Sequence, residues 1–252
     1  MTFDVAAEAY GRFMGRFAEP LAGPFADRAG VAAGMRALDV GCGPGALTAE
    51  LVRRLGPSAV AAIDPSTPFV VATRARYPGV DVRQGVAERL PFADGSFGVV
   101  LAQLVVHFMT DPVAGLAEMR RVTQPNGRVA ACVWDHGGDG GPLSAFWRAA
   151  RDLDPDAPDE TQMAGVREGD LVELARQAGL TDIEASTLTV QVGFASFGAW
   201  WEPFLLGVGP VGAYLGRLDQ PRLAALRDHC AEVMPEAPFT VEASAWCVVC
   251  RA

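Results

Sequence analysis

The sequence predicts an α/β fold built on a doubly wound, mostly parallel sheet. Three observations carry that expectation. Strand-like and helix-like segments alternate from Ala37 to about Val133, the pattern of strands joined by crossover helices. One strand-to-helix junction turns through three alternating glycines, Gly41, Gly43 and Gly45. Half of the 252 residues are hydrophobic, enough for a substantial core.

In chain order, strands are expected at Ala37–Val40, 59–63, 80–84, 98–102 and 127–134, with helices at Ala46–Leu55, 68–77 and 113–122 between them. Thr110-Asp-Pro112 starts the third helix, a capping residue followed by a proline that suits a first turn. Pro125-Asn-Gly127 marks the turn into the fifth strand. Beyond Asp135 the character changes. Asp135-His-Gly-Gly-Asp-Gly-Gly-Pro142 reads as a loop, and 152–161 is acidic and proline-rich. A helix over 169–179, a strand over 183–192, a helix over Gln220–Val233 and a last strand over 240–250 follow. Residues 185–216 carry one charge, Glu202, among many aromatics; glycine and proline interrupt the stretch. It is expected to pack over the sheet, cover an apolar substrate or contact another subunit. The chain is read as one domain, residues 1–252, with N-terminal cap helices in 1–30, a ligand-binding core in 31–135 and substrate-side insertions with the last strands in 136–252.

A net charge of −9 argues against a broad nucleic-acid footprint. All 21 basic residues are arginine, which fits a coding bias better than a mechanism. No apolar run reaches membrane-spanning length. Asp4, Glu8, Arg12 and Arg16 leave no apolar signal-peptide core, and five scattered cysteines suit reduced thiols, so the expected compartment is the cytoplasm. Cys247-Val-Val-Cys250 lies in a strand-like run where positions three apart face opposite sides, and no second pair completes a four-ligand site. No metal is expected. The oligomeric state is left open.

In open parallel sheets, ligands sit beyond the carboxyl ends of the strands, where strand order reverses. Four segments end there with suitable residues. Asp39 precedes the loop Gly41-Cys-Gly-Pro-Gly45, whose spacing is G-x-G-x-G rather than the G-x-G-x-x-G of dinucleotide binders. Loop amides and the following helix start suit an anion, and the acid suits an ammonium group beside it. S-adenosylmethionine has that layout. Asp64, 19 residues beyond Gly45, is placed to accept from ribose hydroxyls or to cap a helix, with Ser66 beside it. The third segment is Gln84-Gly-Val-Ala-Glu-Arg-Leu-Pro-Phe-Ala-Asp-Gly-Ser-Phe97, and the fourth is Val99 to His107.

With these motifs the chain resembles the class I S-adenosylmethionine-dependent methyltransferases, in the small-molecule, type 11-like subgroup. The family pattern Gly-Asp-Ala-Glu, Leu-Pro-Phe, Asp-Gly-Ser-Phe-Asp appears as Gly85-Val-Ala-Glu88, Leu90-Pro-Phe92 and Asp94-Gly-Ser-Phe-Gly98. Tyr10-Gly-Arg-Phe-Met-Gly-Arg16 also resembles a segment that folds over the cofactor in such enzymes. The resemblance covers residues 8–135 and implies a seven-stranded sheet with an antiparallel last strand. It implies cofactor contacts from Tyr10, Arg16, Ala87, Glu88 and Gln103, beside Asp39, Gly41, Gly43, Gly45, Asp64 and Ser66. Val86 and Gly98 replace two family aspartates, which puts adenine recognition on Ala87, apolar contacts or Glu88. His107, four residues past Gln103, is the candidate base, with Asp135 and His136 as rivals; a packed histidine is the bland reading. His229 reads as surface. The expected activity is methyl transfer to the O, N or C atom of a small, partly apolar molecule. The alternatives are a non-catalytic S-adenosylmethionine-binding subunit, suggested by Val86 and the missing catalytic dyad, and a nucleotide-linked oxidoreductase, which would need the other glycine spacing.

Overall fold

The computed structural model describes residues 7–158 and 160–252. Residues 1–6 of the expected cap, Asp4 among them, and Asp159 lie outside the described residues. The described residues begin with α1 (Ala7–Tyr10), run through a π-helical turn at Gly11–Gly15 and continue as α2 (Arg16–Arg28). Pro20 and Pro24 each remove one amide from the α2 ladder, so its hold on the fold is its buried face of Phe17, Leu21, Ala22 and Phe25.

The core follows as β1 (Ala37–Val40), α3 (Ala46–Leu55), β2 (Val60–Asp64), α4 (Thr67–Arg76), β3 (Asp81–Gln84) and β4 (Phe97–Gln103). A short turn at Val106–Phe108 leads to α5 (Pro112–Val122) and β5 (Thr123–Trp134). Asp111 caps α5 by accepting from Ala114 N, and Pro112 fills its first turn as expected. After β5 come α6 (Ser144–Leu153), α7 (Asp170–Gln177), β6 (Thr181–Phe194), α8 (Phe197–Trp201), α9 (Gly209–Leu215) and α10 (Gln220–Val233), of which α6, α8, α9 and α10 form the cap. The last strand is β7 (Phe239–Arg251).

The seven strands lie in the order β3-β2-β1-β4-β5-β7-β6. β1 to β5 pair in parallel, whereas β7 runs antiparallel to both β5 and β6. The chain builds outward from β1 to β3, then returns to the other side of β1 as β4. That reversal opens a crevice at the carboxyl ends of β1 and β4. Side chains alternate between two apolar layers. Val99 and Leu101 face the layer of α2, α3 and the cap, while Val100 and Ala102 face that of α5 and α7. Cys247 and Cys250 fall in opposite layers, and no metal-holding cluster occurs among the described residues.

One helix was not anticipated and one strand boundary needs correction. The 144–153 segment is helical, although its loop-like flanks hid it; Phe146, Trp147, Ala149 and Ala150 form its buried face. β5 starts at Thr123, before the expected turn, because Phe97 pairs with Thr123 across a register shift. The Pro125-Asn126-Gly127 signal becomes a kink inside the strand, with Asn126 at φ 62.

Candidate functional site

A cavity of about 390 Å³ occupies the crevice at the switch point, a volume in the usual range for small-molecule sites. Its wall includes Tyr10, Asp39, Gly41, Gly43, Asp64, Ser66 and Gln103, each named from the sequence.

The loop amides do not point free into the cavity as expected. Gly41 N and Cys42 N both donate to Ile63 O, at 2.7 and 3.0 Å, and Gly45 N donates to Cys42 O at 2.9 Å. Gly43 N donates to Asp64 Oδ2 at 2.8 Å. The donors left for an anion are the first-turn amides of α3 at Ala46 and Leu47, which have no acceptor within the helix and line the cavity. Gly43, at φ 52, has open space where a side chain would begin. Gly45 is a packing residue off the cavity wall: at φ 96, a Cβ there would sit 2.6 Å from the Tyr77 ring.

Both acids are built into the scaffold. Asp39 Oδ2 accepts from Thr48 Oγ1 at 2.6 Å, and the Thr48 amide also bonds the carboxylate, so Asp39 joins β1 to the start of α3. Burial pushes its carboxyl up to about 7; the Thr48 bonds oppose the rise and the nearby Asp64 charge adds to it. Asp64 Oδ1 accepts from Ser66 N at 2.8 Å while Oδ2 holds the loop. Burial raises this carboxyl too, and the two amides restrain it. A carboxylate has about four lone-pair sites, so both acids keep acceptor capacity for a ligand.

Gln103 Nε2 donates to Ala18 O at 2.9 Å, which ties β4 to α2. Its buried Oε1 has no partner among the described residues. Tyr10 packs edge-on against Phe69 at 5.4 Å, and burial, with the Asp64 charge second, lifts its phenol to about 12. The phenol therefore stays neutral.

Four other predicted residues lie off this wall. Arg16 donates to Ala199 O at 2.9 Å and stacks over Phe194, turning toward the cap rather than the crevice. Ala87 is buried in the layer under α5. Glu88 Oε1 accepts from Thr110 N at 2.7 Å and Asp111 N at 3.2 Å, so it serves the start of α5. His107 sits in an adjoining recess of about 30 Å³ with Trp134, His136 and Glu160. Tyr10, Leu104 and Phe108 line both spaces. Burial, with His136 second, holds the His107 imidazole well below its usual range, so it is neutral at pH 7. Of the rivals, Asp135 Oδ1 accepts from Gly138 N and Trp246 Nε1, whereas His136 faces His107 at 5.7 Å between ring centroids. His229 is bonded to Asp152 on the outside of the cap, at 2.9 Å.

Sequence reasoning missed Trp134, Leu104 and Glu160. Trp134 ends β5 on the ligand side, and that position rule could have found it. Leu104 holds φ 62, unusual for a bulky residue, directly after β4. Glu160 sits in an irregular stretch without periodicity, and nothing in the sequence marks it.

Residues 38–131 match the methyltransferase domain family. Over 103 residues the chain is 40% identical to a demethylmenaquinone methyltransferase of Beutenbergia cavernae, covering 41% of this chain and 42% of that protein. The chain spans about two fifths of the length of the curated relatives it matches. Among solved structures, a methyltransferase-like protein of Bacillus halodurans C-125 superposes with a TM-score of 0.60 at 17% identity, covering 91% of this chain and 97% of that one. The [4+2]-cyclase SpnF superposes at 0.56 and 21% identity, covering 92% and 80%. These likenesses carry the fold. The sequence match covers the sheet's ligand-binding half: residues 38–131 are similar to the methyltransferase domain family, whose class the motifs resemble.

Proposed function

We propose that the protein is an S-adenosylmethionine-dependent methyltransferase acting on a small, partly apolar molecule, with residues 31–135 holding the cofactor and 136–252 supplying the acceptor side. Cytoplasmic secondary metabolism is the setting we favour; no described helix is long and apolar enough to cross a membrane. A fold shared with a cyclase does not decide the reaction, so the reading rests on the site. One observation carries it: the cavity at the switch point gathers two buried acids, the unpartnered Gln103 Oε1 and the first-turn amides of α3 on one wall. That donor and acceptor set fits an amino-acid tail joined to a ribose.

Gln103 Oε1 and Asp39 would receive the ammonium, the Ala46 and Leu47 amides the carboxylate, and Asp64 with Ser66 the ribose hydroxyls. When bound, the cofactor supplies a methyl group on a sulfonium, an electrophile that needs little further activation. The chain's part is to place the acceptor and keep the space dry. Tyr10, Leu104 and Phe108 form the shared wall between cofactor cavity and recess. His107, neutral and with Nδ1 unpartnered, takes the proton that the acceptor atom sheds as its new bond to carbon forms.

Calorimetric titration with S-adenosylhomocysteine and with NAD tests the cofactor half, and transfer of labelled methyl groups to a small-molecule extract tests the activity. Binding of NAD in preference to S-adenosylhomocysteine would overturn the assignment.

A further inference from the structure

The recess beside the cofactor cavity narrows the acceptor class, an inference that rests on the methyltransferase reading for its purpose but not for its geometry. Two of its lining residues carry buried nitrogens with no partner among the described residues, His107 Nδ1 and Trp134 Nε1. His107 is 6% exposed and Trp134 1%. Buried polar atoms are nearly always paired, and leaving one unpaired is costly. Two in one recess therefore point to a ligand group that completes them.

The recess is narrow, about 30 Å³ beside about 390 Å³ for the main cavity, and suits a small polar group. The body of the acceptor then lies along the other lining of the recess, Phe13, Met14, Val208 and Pro210, which leaves the Tyr10, Leu104 and Phe108 side to the methyl donor.

Donor and acceptor chemistry then selects among heads. The indole N–H of Trp134 can only donate, and a neutral imidazole nitrogen can accept. An ammonium has donors alone and leaves the indole unpaired. A carboxylate or phosphate would meet Glu160, a carboxylate 3% exposed that accepts from Trp147 Nε1 at 3.0 Å and lies 3.9 Å from His136 Nε2. A hydroxyl both accepts from Trp134 and donates to His107. We propose that the recess formed by His107, Trp134, His136 and Glu160 binds the hydroxyl of an uncharged alcohol or phenol carried on an apolar body, and that this oxygen is the atom methylated. In that transfer the O–H proton goes to His107 Nδ1, carbon bonds to oxygen, and the S–C electron pair stays on sulfur, leaving S-adenosylhomocysteine.

The test compares four probes of one shape with the full chain saturated in S-adenosylhomocysteine: cyclohexanol, methoxycyclohexane, cyclohexanone and cyclohexylamine, with affinities read by ligand-observed NMR. Cyclohexanol should bind at least tenfold more tightly than the other three. Trp134→Phe and His107→Phe should each erase that preference while the affinity for S-adenosylhomocysteine, titrated separately, stays within twofold and certifies the fold. Equal affinities, no binding of any probe, or preference for the ketone or amine would overturn the proposal and leave the recess a water site. Loss of S-adenosylhomocysteine binding in the unaltered protein, with the alcohol preference intact in its absence, would instead sink the cofactor reading alone.

Discussion

The two walls of the site are made of different material. On the cofactor side, backbone and small residues do the work, and hydrogen bonds within the scaffold lock each acid in place: Asp39 to Thr48, Asp64 to Gly43 and Ser66. On the cap side, rings from distant segments pack together. Phe146 of α6 touches Trp147, Trp201, Phe204 and Tyr214, with centroids 5.0 to 6.4 Å apart. Two polar atoms there, His107 Nδ1 and Trp134 Nε1, have no partner among the described residues, against one, Gln103 Oε1, on the cofactor side. The contrast teaches that the first wall is preorganised for one constant ligand, whereas the second is an apolar shell whose few polar atoms select a variable one.

If the walls are energetically separate, damage to one should spare the other. The largest expected effect is on the cap. Phe146→Ala removes a fully buried ring and should cost about 3–5 kcal/mol of stability by urea unfolding. S-adenosylhomocysteine affinity should stay within about twofold wherever the protein remains folded; a parallel drop would show that the walls are coupled.

Asp64→Asn attacks the other wall. Hydrogen bonds to a charged group contribute about 1.5–3 kcal/mol, so calorimetry should show roughly tenfold to hundredfold weaker cofactor binding. A change under threefold would remove Asp64 from the ligand's contacts and leave it a loop brace.

Asp39 gives a pH signature. Its folded carboxyl titrates at about 7 against an ordinary value of 3.8. The empty folded protein thus retains a proton that the unfolded chain gives up, and this residue's contribution to stability declines as pH rises between those values. Binding an ammonium favours the ionised form. Cofactor affinity should therefore fall as pH drops below 7, by up to about tenfold per unit, and Asp39→Asn should flatten that part of the profile. A wild-type profile level from pH 8 to 5 would contradict the assignment of Asp39 to the ammonium.

The smallest effect belongs to Glu88→Ala. Because Glu88 accepts from the amides of Thr110 and Asp111, its loss should cost about 1 kcal/mol of stability. Cofactor affinity should be untouched; a tenfold loss would return Glu88 to the cofactor contacts implied by the family resemblance.

Legibility followed the range of the interactions. The strand ends at Val40 and Asp64, the loop glycines and the α5 cap come from neighbours a few residues apart, and periodicity and turn chemistry expose them. The crowding of Gly45 off the cavity wall was not legible because it comes from Tyr77, a residue of the next crossover. The placement of Glu88 and Arg16 off that wall was hidden likewise, their partners lying at Thr110 and Ala199. Helix α6 went unseen because glycine-rich and acidic flanks masked a short amphipathic run.

By itself, then, the sequence determined the alternation of strands and helices and the acids and glycines that end β1 and β2, because each is written in contiguous residues. Tertiary structure alone decided that the loop amides bond inward and that His107, Trp134, His136 and Glu160 share one recess. His107 follows β4 and Trp134 and His136 end its neighbour β5, while Glu160 arrives from the 152–161 stretch; burial, not local pattern, leaves two of their nitrogens without a partner among the described residues.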